Sequence, residues 1–149
     1  GLIVVVCRLS ERAFWDLCEI AERPIVASHS NARACCAHSR NLTDAQFRAL
    51  CALGGTAGLN LYSPFLAERR RASFSDVARH LDHFLQLDGA DHVALGGDLD
   101  GCDLLPEGFT QVSDYLKLHD FLQDAGVSSA LLEQIYSKNL MRVVITCGM

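Results

Sequence analysis

A chain of 149 residues, half of them hydrophobic, is long enough to fold as one domain around its own core. Its formal net charge of −5 excludes a strongly basic protein, and its one basic cluster is Arg69–Arg71, so we expect no nucleic-acid partner. Its longest apolar run, Leu2–Cys7, is far too short to cross a bilayer, so we expect no transmembrane segment.

The seven cysteines follow neither a CxxC nor a zinc-ribbon spacing. Their odd number and the apolar surroundings of several predict free, mostly buried thiols in a reducing compartment. No signal peptide is visible, so the sequence weakly favours the cytoplasm. The chain opens at Gly1 directly on a strand-like sequence, and we expect it to be cut from a longer protein.

The first elements follow from hydrophobic patterning. Leu2–Cys7 is short and β-branched, which predicts a central strand. Ser10 is placed to cap a helix that runs to about Glu22, and Pro24–Ala27 then reads as a second, fully buried strand. The apolar positions of this helix recur at helical spacing, at Phe14, Leu17, Cys18 and Ala21.

The middle of the chain predicts a second strand–helix alternation. Thr43 and Gln46 form a capping-box pattern that opens a helix, which the glycine pair after Leu53 ends. Thr56–Tyr62 is the third predicted strand. A helix then starts at Ser73 or Ser75 and stops at Gly89.

The fourth strand is predicted at His92–Gly97. A long loop containing glycine and proline follows, at Cys102–Thr110. Two helices close the chain, at Ser113–Asp124 and at Ser128–Val144, and we expect a break in the second of them near Asn139.

Four consecutive β-then-α units predict an α/β fold with parallel strands and right-handed crossovers. A complete (β/α)8 barrel needs about 250 residues, so four units amount to about half of one. A small open parallel α/β sheet is the alternative, and it suits the length better.

Three residues after the predicted strands can carry chemistry. His29 follows Pro24–Ala27, and α/β barrels place their chemistry at such strand ends, although a histidine bonded to backbone is the alternative. Arg40 closes the following loop, and a planar guanidinium suits a carboxylate. Asp98 follows two glycines that let backbone approach a ligand, although an Asx turn is the alternative.

The segments PIVASHSNARACCAHSRN, GGDLDG and PEG…VSDY resemble the renal (membrane) dipeptidase family of zinc peptidases. The resemblance extends from about Gly1 to Val144 and corresponds to the C-terminal half of that family's (β/α)8 barrel. It implies that residues 1–149 are a single domain, half of a metal-dependent hydrolase barrel, and it favours the half-barrel over the open sheet.

The resemblance also implies roles for the three residues. His29 corresponds to a metal ligand, and Arg40 to the residue that holds the substrate carboxylate. Asp98 corresponds to the aspartate that binds the substrate amino group and assists proton transfer to the leaving nitrogen, whereas Asp100 is read as structural. In such an enzyme two zinc ions share a hydroxide that attacks the peptide carbonyl of a dipeptide.

The sequence departs from the family where a zinc-binding histidine is expected, because Arg8 occupies that position and Val5 replaces an aspartate. Arginine stays protonated and has no lone pair for zinc. Cys7 is a poor substitute, since neighbouring strand residues point to opposite faces. The family's other ligands, a His-x-Asp pair and a bridging glutamate, belong to the N-terminal half, as does a further substrate-binding histidine.

These departures lead to two hypotheses. The first is a truncated or degenerate zinc dipeptidase with little or no activity on its own, which has lost one of its zinc ligands. The second is a non-catalytic half-barrel that works only in association with another chain, for example as a homodimer. An unrelated small-ligand domain has no supporting motif. His80 and His83, one helical turn apart, are predicted to lie on a helix surface and not to bind a metal.

Overall fold

The computed structural model describes residues 1–68 and 71–148. Arg69 and Arg70, two of the three arginines of the basic cluster, lie outside the described residues. Within them, one sheet contains four strands in the order β1-β2-β3-β4, and every neighbouring pair is parallel. The strands are Val4–Val5 (β1), Ile25–Ala27 (β2), Thr56–Asn60 (β3) and Val93–Gly97 (β4). The prediction of four parallel β/α units is confirmed.

The described helices are Glu11–Ile20 (α1), Asp44–Ala52 (α2), Ser63–Leu66 (α3), Phe74–Gln86 (α4), Tyr115–Asp124 (α5), Ser129–Glu133 (α6) and Asn139–Thr146 (α7). A π-helical turn, Gln134–Lys138, joins α6 to α7, so the expected break is a wide turn just before Asn139. The short α3 was not predicted, and a 3₁₀ turn, Val112–Asp114, precedes α5.

The predicted helix starts are made by side-chain caps. The hydroxyl of Ser10 accepts a hydrogen bond from the Ala13 amide at 3.2 Å, at the start of α1. Thr43 and Gln46 form the predicted capping box of α2, in which the Gln46 side chain accepts from the Thr43 amide at 2.9 Å. Ser73, the first of the two predicted alternatives, precedes α4.

The core lies between the sheet and the helices of the β/α units. Phe47 of α2 and Phe84 of α4 stack with their ring centroids 4.1 Å apart, and both side chains are buried. Leu59 of β3 and Leu81 of α4 are in the same buried cluster. These contacts hold α2 and α4 against the sheet, so the loops between strands and helices start from fixed strand ends.

Helix α7 packs against the amino-terminal ends of β3 and β4. The Asn139 amide nitrogen donates to the carbonyls of Ala90 and Val93, both at 2.8 Å. Arg142 donates to the carbonyl of Gly54 at 2.6 Å. Because α7 covers these amino-terminal ends, a functional site is expected at the opposite, carboxyl ends of the strands and in the loops that follow them.

The two outer strands each have one neighbour among the described residues. Strand β1 is only two residues long instead of the predicted Leu2–Cys7, and the residue Val5 is 52% exposed. The described residues contain no helix that combines the length and the apolar character needed to cross a membrane.

Candidate functional site

The carboxyl ends of the four parallel strands meet at one edge, where Arg8, His29, Asn60 and Asp98 end or follow a strand. The ends of β2 and β4 approach each other although β3 lies between them. A side chain at Gly96 would collide with the Ser28 carbonyl oxygen, and its Cβ would lie 3.0 Å from the Cα of His29. Glycine at this position therefore allows the curvature that gathers the site residues.

His29 is held by its neighbours in a way that leaves one ring nitrogen unused. Its Nδ1 lies 2.8 Å from the Ser28 hydroxyl, which lies 3.2 Å from the sulfur of Cys7. The His29 amide donates to the same sulfur at 3.2 Å. Its Nε2 is buried and has no hydrogen-bond partner among the described residues. A buried, unpartnered imidazole nitrogen suits a metal ligand whose second nitrogen is oriented by a neighbour.

The electrostatic surroundings of His29 favour the neutral imidazole. Its pKa is lowered from the ordinary value, chiefly by burial. Asp98 opposes this shift, whereas the positive charges of Arg40 and Arg8 add to it. These interactions identify the three charged side chains as the electrostatic neighbours of His29. The neutral form is the one that binds a metal ion.

Arg40 is held by a hydrogen bond at one guanidinium nitrogen, and its other two nitrogens have no hydrogen-bond partner among the described residues. Its Nε donates to the carbonyl of Cys7 at 3.1 Å, and its guanidinium carbon lies 5.7 Å from the centre of the Phe65 ring. Its terminal nitrogens have no hydrogen bond to any described residue. The terminal fork of this guanidinium is therefore available to a carboxylate.

The loop that carries Arg40 is anchored by its neighbour Asn41, which is buried. The Asn41 amide nitrogen donates to the carbonyls of Cys36 and Phe65 at 2.9 and 2.8 Å. The first of these bonds closes the loop on itself, and the second ties it to α3. The unpredicted helix α3 thus helps to position Arg40.

Asp98 follows β4 in the left-handed conformation, with φ 63° and ψ 40°. Asn60, at the end of β3, donates from Nδ2 to Oδ2 of Asp98 at 3.3 Å. Asp100 lies in the short 3₁₀ turn that follows and is exposed. Residues other than glycine rarely adopt this left-handed conformation, and those that do are concentrated at functional sites.

The sequence profile of the membrane dipeptidase family, peptidase family M19, matches residues 1–147. The chain belongs to this family. The predicted family resemblance is therefore confirmed.

Three relatives illustrate the match to this dipeptidase family. A Klebsiella pneumoniae protein, described by its position in the region 5′ of pqqA, is 40% identical over 143 residues, covering 93% of this chain and 52% of that protein. A Schizosaccharomyces pombe protein described as an uncharacterized dipeptidase is 30% identical over 146 residues, covering 96% of this chain and 35% of that protein. The chain therefore spans about a third to a half of the length of these relatives.

The third relative is a crystal structure of a Rhodobacter sphaeroides metallopeptidase liganded with a phosphinate mimic of the dipeptide L-Ala-D-Ala. It is 32% identical, with a TM-score of 0.89 over 94% of this chain and 41% of that chain. The prediction of parallel β/α units that form about half of a (β/α)8-type barrel is thereby confirmed over the small open sheet.

The metal expected of this metallopeptidase family fits the chain in part. His29 suits one ligand position because its Nε2 is buried and unpartnered among the described residues. Within residues 1–68 and 71–148, however, no group of three histidine, cysteine or acidic side chains is placed to hold a metal ion. Arg8 cannot complete the set, and the Cys7 sulfur already accepts a hydrogen bond from the His29 amide. The described residues therefore do not form a complete metal centre.

Arg40 and Asp98 line one open cavity of about 400 Å³ in this dipeptidase-family chain. Arg8, Tyr62 and Asp103 line the same cavity. Burial and then the Asp103 carboxylate raise the pKa of Tyr62, so its hydroxyl stays protonated. A cavity with guanidinium and carboxylate groups has the charges needed to hold both ends of a zwitterion.

The sequence interpretation missed the role of Asn60 and misplaced His80. Asn60 was placed in a strand without a role, although the rule that singled out His29, a polar residue at the carboxyl end of a buried strand, applies to it equally. The prediction that His80 lies on a helix surface is wrong, because its side chain is fully buried. Its Nδ1 accepts from the Ala32 amide and its Nε2 donates to the Leu66 carbonyl, both at 3.0 Å.

Proposed function

We propose that this chain is part of a zinc-dependent dipeptidase, to which it contributes His29 as a metal ligand, Arg40 for the substrate carboxylate and Asp98 for the substrate amino group. Residues 1–149 would form one domain, the C-terminal half of the barrel. The observation that supports this most directly is the buried Nε2 of His29, which lacks a partner among the described residues. Membership of the dipeptidase family supports the choice of reaction.

Arg40 fixes the position of the substrate's terminal carboxylate. Its Nε is held by the Cys7 carbonyl, so the two terminal nitrogens form a fixed fork that accepts a carboxylate through two parallel hydrogen bonds. In a dipeptide this carboxylate lies one residue beyond the peptide bond. A fixed guanidinium therefore places that bond at a constant distance from the fork, and longer peptides are excluded because Asp98 must hold the amino group on the other side of the same bond.

Asp98 acts at the other end of the substrate. Its carboxylate accepts hydrogen bonds from the substrate amino group. It also takes a proton from the attacking water and passes that proton to the leaving nitrogen as the peptide bond breaks. Asn60 keeps Oδ2 of Asp98 in place through its amide. A bound zinc ion would polarise the peptide carbonyl and lower the pKa of its water ligand. His29 would hold it through Nε2, while Ser28 orients the ring through Nδ1.

The chain on its own is proposed to have little or no activity. One histidine is too few for a zinc site, which takes at least three protein ligands when it is catalytic. Arg8, whose charge reaches His29, places a positive group beside the metal position. Further ligands would have to come from another part of a longer protein or from another chain.

The zinc content of the purified, dialysed chain tests this proposal. We expect almost no zinc in the wild type and a clear gain in Arg8→His, because the substitution removes a cation and supplies a second imidazole. The double variant Arg8→His/His29→Ala should lose this gain, whereas Arg8→His/His119→Ala, which removes a partly exposed histidine of α5, should keep it. Zinc uptake by Arg8→His that is unchanged when His29→Ala is added would contradict the metal role of His29.

The same preparations are assayed with Ala-Ala as the dipeptide. Stoichiometric zinc in the wild type together with zinc-dependent hydrolysis would overturn the proposal that this chain is inactive alone. It would not overturn the assignment of His29.

A non-catalytic half-barrel that associates with a second copy is the other candidate function. The observation in its favour is the exposed edge of the sheet: Val4 is 38% and Val5 52% exposed on a strand with one described neighbour. Open strand edges pair readily with other chains. Its test is the oligomeric state of the chain in solution.

We also propose a reducing compartment, the cytoplasm, for this chain. All seven cysteines lie within the described residues and are free thiols, and Cys7, Cys36 and Cys147 are buried. Burial raises the pKa of Cys18 and Cys51, which keeps these thiols protonated and unreactive. Thiol titration under denaturing conditions should find seven free groups in protein isolated without reductant, and fewer would count against this compartment.

A further inference from the structure

We propose that this chain binds a second oxyanion, separate from the carboxylate assigned to Arg40, in a cavity between the β1–α1 and β2–α2 loops. This cavity has a volume of about 460 Å³, and Arg8 and Arg33 supply its cations. Arg40 lines it as well, at the border with the candidate active site. The inference concerns binding alone and does not require the chain to hydrolyse a dipeptide.

Arg33 is a cation held in place but not neutralised. Its Nε donates to the Asn41 carbonyl at 2.9 Å, and one terminal nitrogen donates to the Ser39 carbonyl at 3.0 Å. Neutral carbonyls fix the guanidinium without cancelling its charge, and no carboxylate of the described residues forms an ion pair with it. Its other terminal nitrogen remains available. Little side-chain entropy is then lost when an anion binds.

Arg8 is the second cation, and it is exposed. It forms no hydrogen bond or ion pair with any residue in the described parts of the chain. It lines this cavity and the one that contains Asp98, so its guanidinium can reach either. An arginine at the carboxyl edge of a parallel sheet, without a partner of its own, is placed to bind a ligand and not to stabilise the fold.

Two further features of the cavity favour an anion. Helix α1 begins at its wall with Ser10 and Glu11, and the first amides of a ten-residue helix carry a partial positive charge. Ser30 also lines the cavity; it is 1% exposed and its hydroxyl has no hydrogen-bond partner among the described residues. Glu11 is the opposing charge, one carboxylate against the guanidinium groups of Arg8 and Arg33.

The ligand is an oxyanion small enough for this cavity, either a carboxylate or a phosphate. Guanidinium groups recognise both through paired hydrogen bonds. Two sources supply this chemistry. One is an acidic side chain of a dipeptide whose terminal carboxylate lies on Arg40, and the other is a free phosphate.

Titration calorimetry with inorganic phosphate at low salt tests the site, because salt screens such contacts. We expect Arg8→Gln and Arg33→Gln each to weaken phosphate binding at least about tenfold. The matched control is Arg12→Gln, which removes an arginine of α1 whose side chain is 92% exposed and pairs with Asp16. It should change the affinity less than about twofold. Circular dichroism melting verifies that each variant is folded.

A second titration compares Ala-Glu with Ala-Gln. Tighter binding of Ala-Glu that disappears in Arg8→Gln supports the site and identifies the acidic side chain as the source. Phosphate binding that depends on Arg8, without a preference for Ala-Glu, supports the site with a free oxyanion. The inference is overturned if neither phosphate nor Ala-Glu shows an effect of Arg8→Gln, or if phosphate binding depends on Arg40 alone. Absence of Ala-Gln binding would speak against the dipeptidase proposal and not against this site.

Discussion

The amide of Asn60 donates a hydrogen bond to the Asp98 carboxylate across 3.3 Å, and this bond joins the ends of β3 and β4. Asn60 is completely buried, and its own Oδ1 accepts from the Tyr62 amide at 2.6 Å. The side chain thus has both of its polar atoms engaged. It holds Asp98 with a neutral donor, which leaves the negative charge of the carboxylate for a ligand.

Asn60→Ala should lower the free energy of unfolding by about 2–4 kcal/mol, because it leaves the Tyr62 amide and the Asp98 carboxylate without this partner. Urea unfolding followed by circular dichroism measures the change. The matched control is Gln123→Ala, which removes an exposed side-chain amide from α5 and should cost less than about 0.5 kcal/mol. Equal effects of the two substitutions would show that Asn60 has no special role in positioning Asp98.

His80 predicts a loss of stability in mild acid. Burial lowers its pKa to about 4 in the folded chain, against an ordinary value of 6.5. The unfolded chain therefore binds the proton more tightly, so the stability from His80 is complete above about pH 6.5 and is lost as the pH falls toward 4. The loss can reach about 3 kcal/mol, from the size of the pKa shift.

The free energy of unfolding measured at intervals from pH 7.5 to 4 tests this prediction. His80→Gln should show a flatter profile than the wild type, although it is less stable at pH 7.5 because the bonds to Ala32 and Leu66 are disturbed. His119→Gln, on the surface of α5, should keep the wild-type slope. If His80→Gln retained that slope, other groups would be responsible for it.

The outcome for His80 illustrates how far the sequence leads. Its spacing from Val77, Leu81 and Phe84 places it on the buried stripe of α4, so its burial was readable from helical periodicity, but its backbone partners come from distant loops. The four strands and their parallel order follow from local patterning. The shortness of β1 does not, because an outer strand pairs only where its single neighbour runs beside it.

The site itself divides in the same way. His29, Arg40 and Asp98 were singled out from strand ends and family resemblance, and the fold brings them to one edge. Asn41, Asn60 and the α3 helix were not assigned a part in it. Their contributions depend on contacts between residues 24 to 38 positions apart, such as Asn41 with Phe65 and Asn60 with Asp98. Local sequence patterns do not encode such distant partners.

Gly96→Ala should be strongly destabilising although the substitution adds a single methyl group. That methyl would meet the Ser28 carbonyl and the Cα of His29, both of which are backbone atoms that cannot rotate away. We expect a loss of at least about 2 kcal/mol in the free energy of unfolding. The comparison is Gly126→Ala, where φ is 97° but nothing lies within 4 Å, so only the backbone conformation carries a cost, about 1 kcal/mol.

Chemical denaturation of both alanine variants measures this difference. In the Arg8→His background, Gly96→Ala should also abolish the gain of zinc, because the β2 and β4 ends must separate to admit the methyl group. Gly126→Ala should leave the zinc content unchanged. An alanine at position 96 that left stability and zinc uptake intact would contradict the close approach of the two strand ends.

The exposed edge of β1 predicts self-association of the chain. A parallel strand that pairs on one side leaves amides and carbonyls open on the other, and Val5 adds apolar surface to them. We expect light scattering coupled to gel filtration to give a mass that rises with concentration. Val5→Lys should shift the chain towards the monomer, because a charge on an edge strand opposes pairing. Leu116→Lys, at an even more exposed apolar position on α5, should not. A monomer at every concentration would rule out association through this edge, and the half-barrel would then have to find its partner in a different chain.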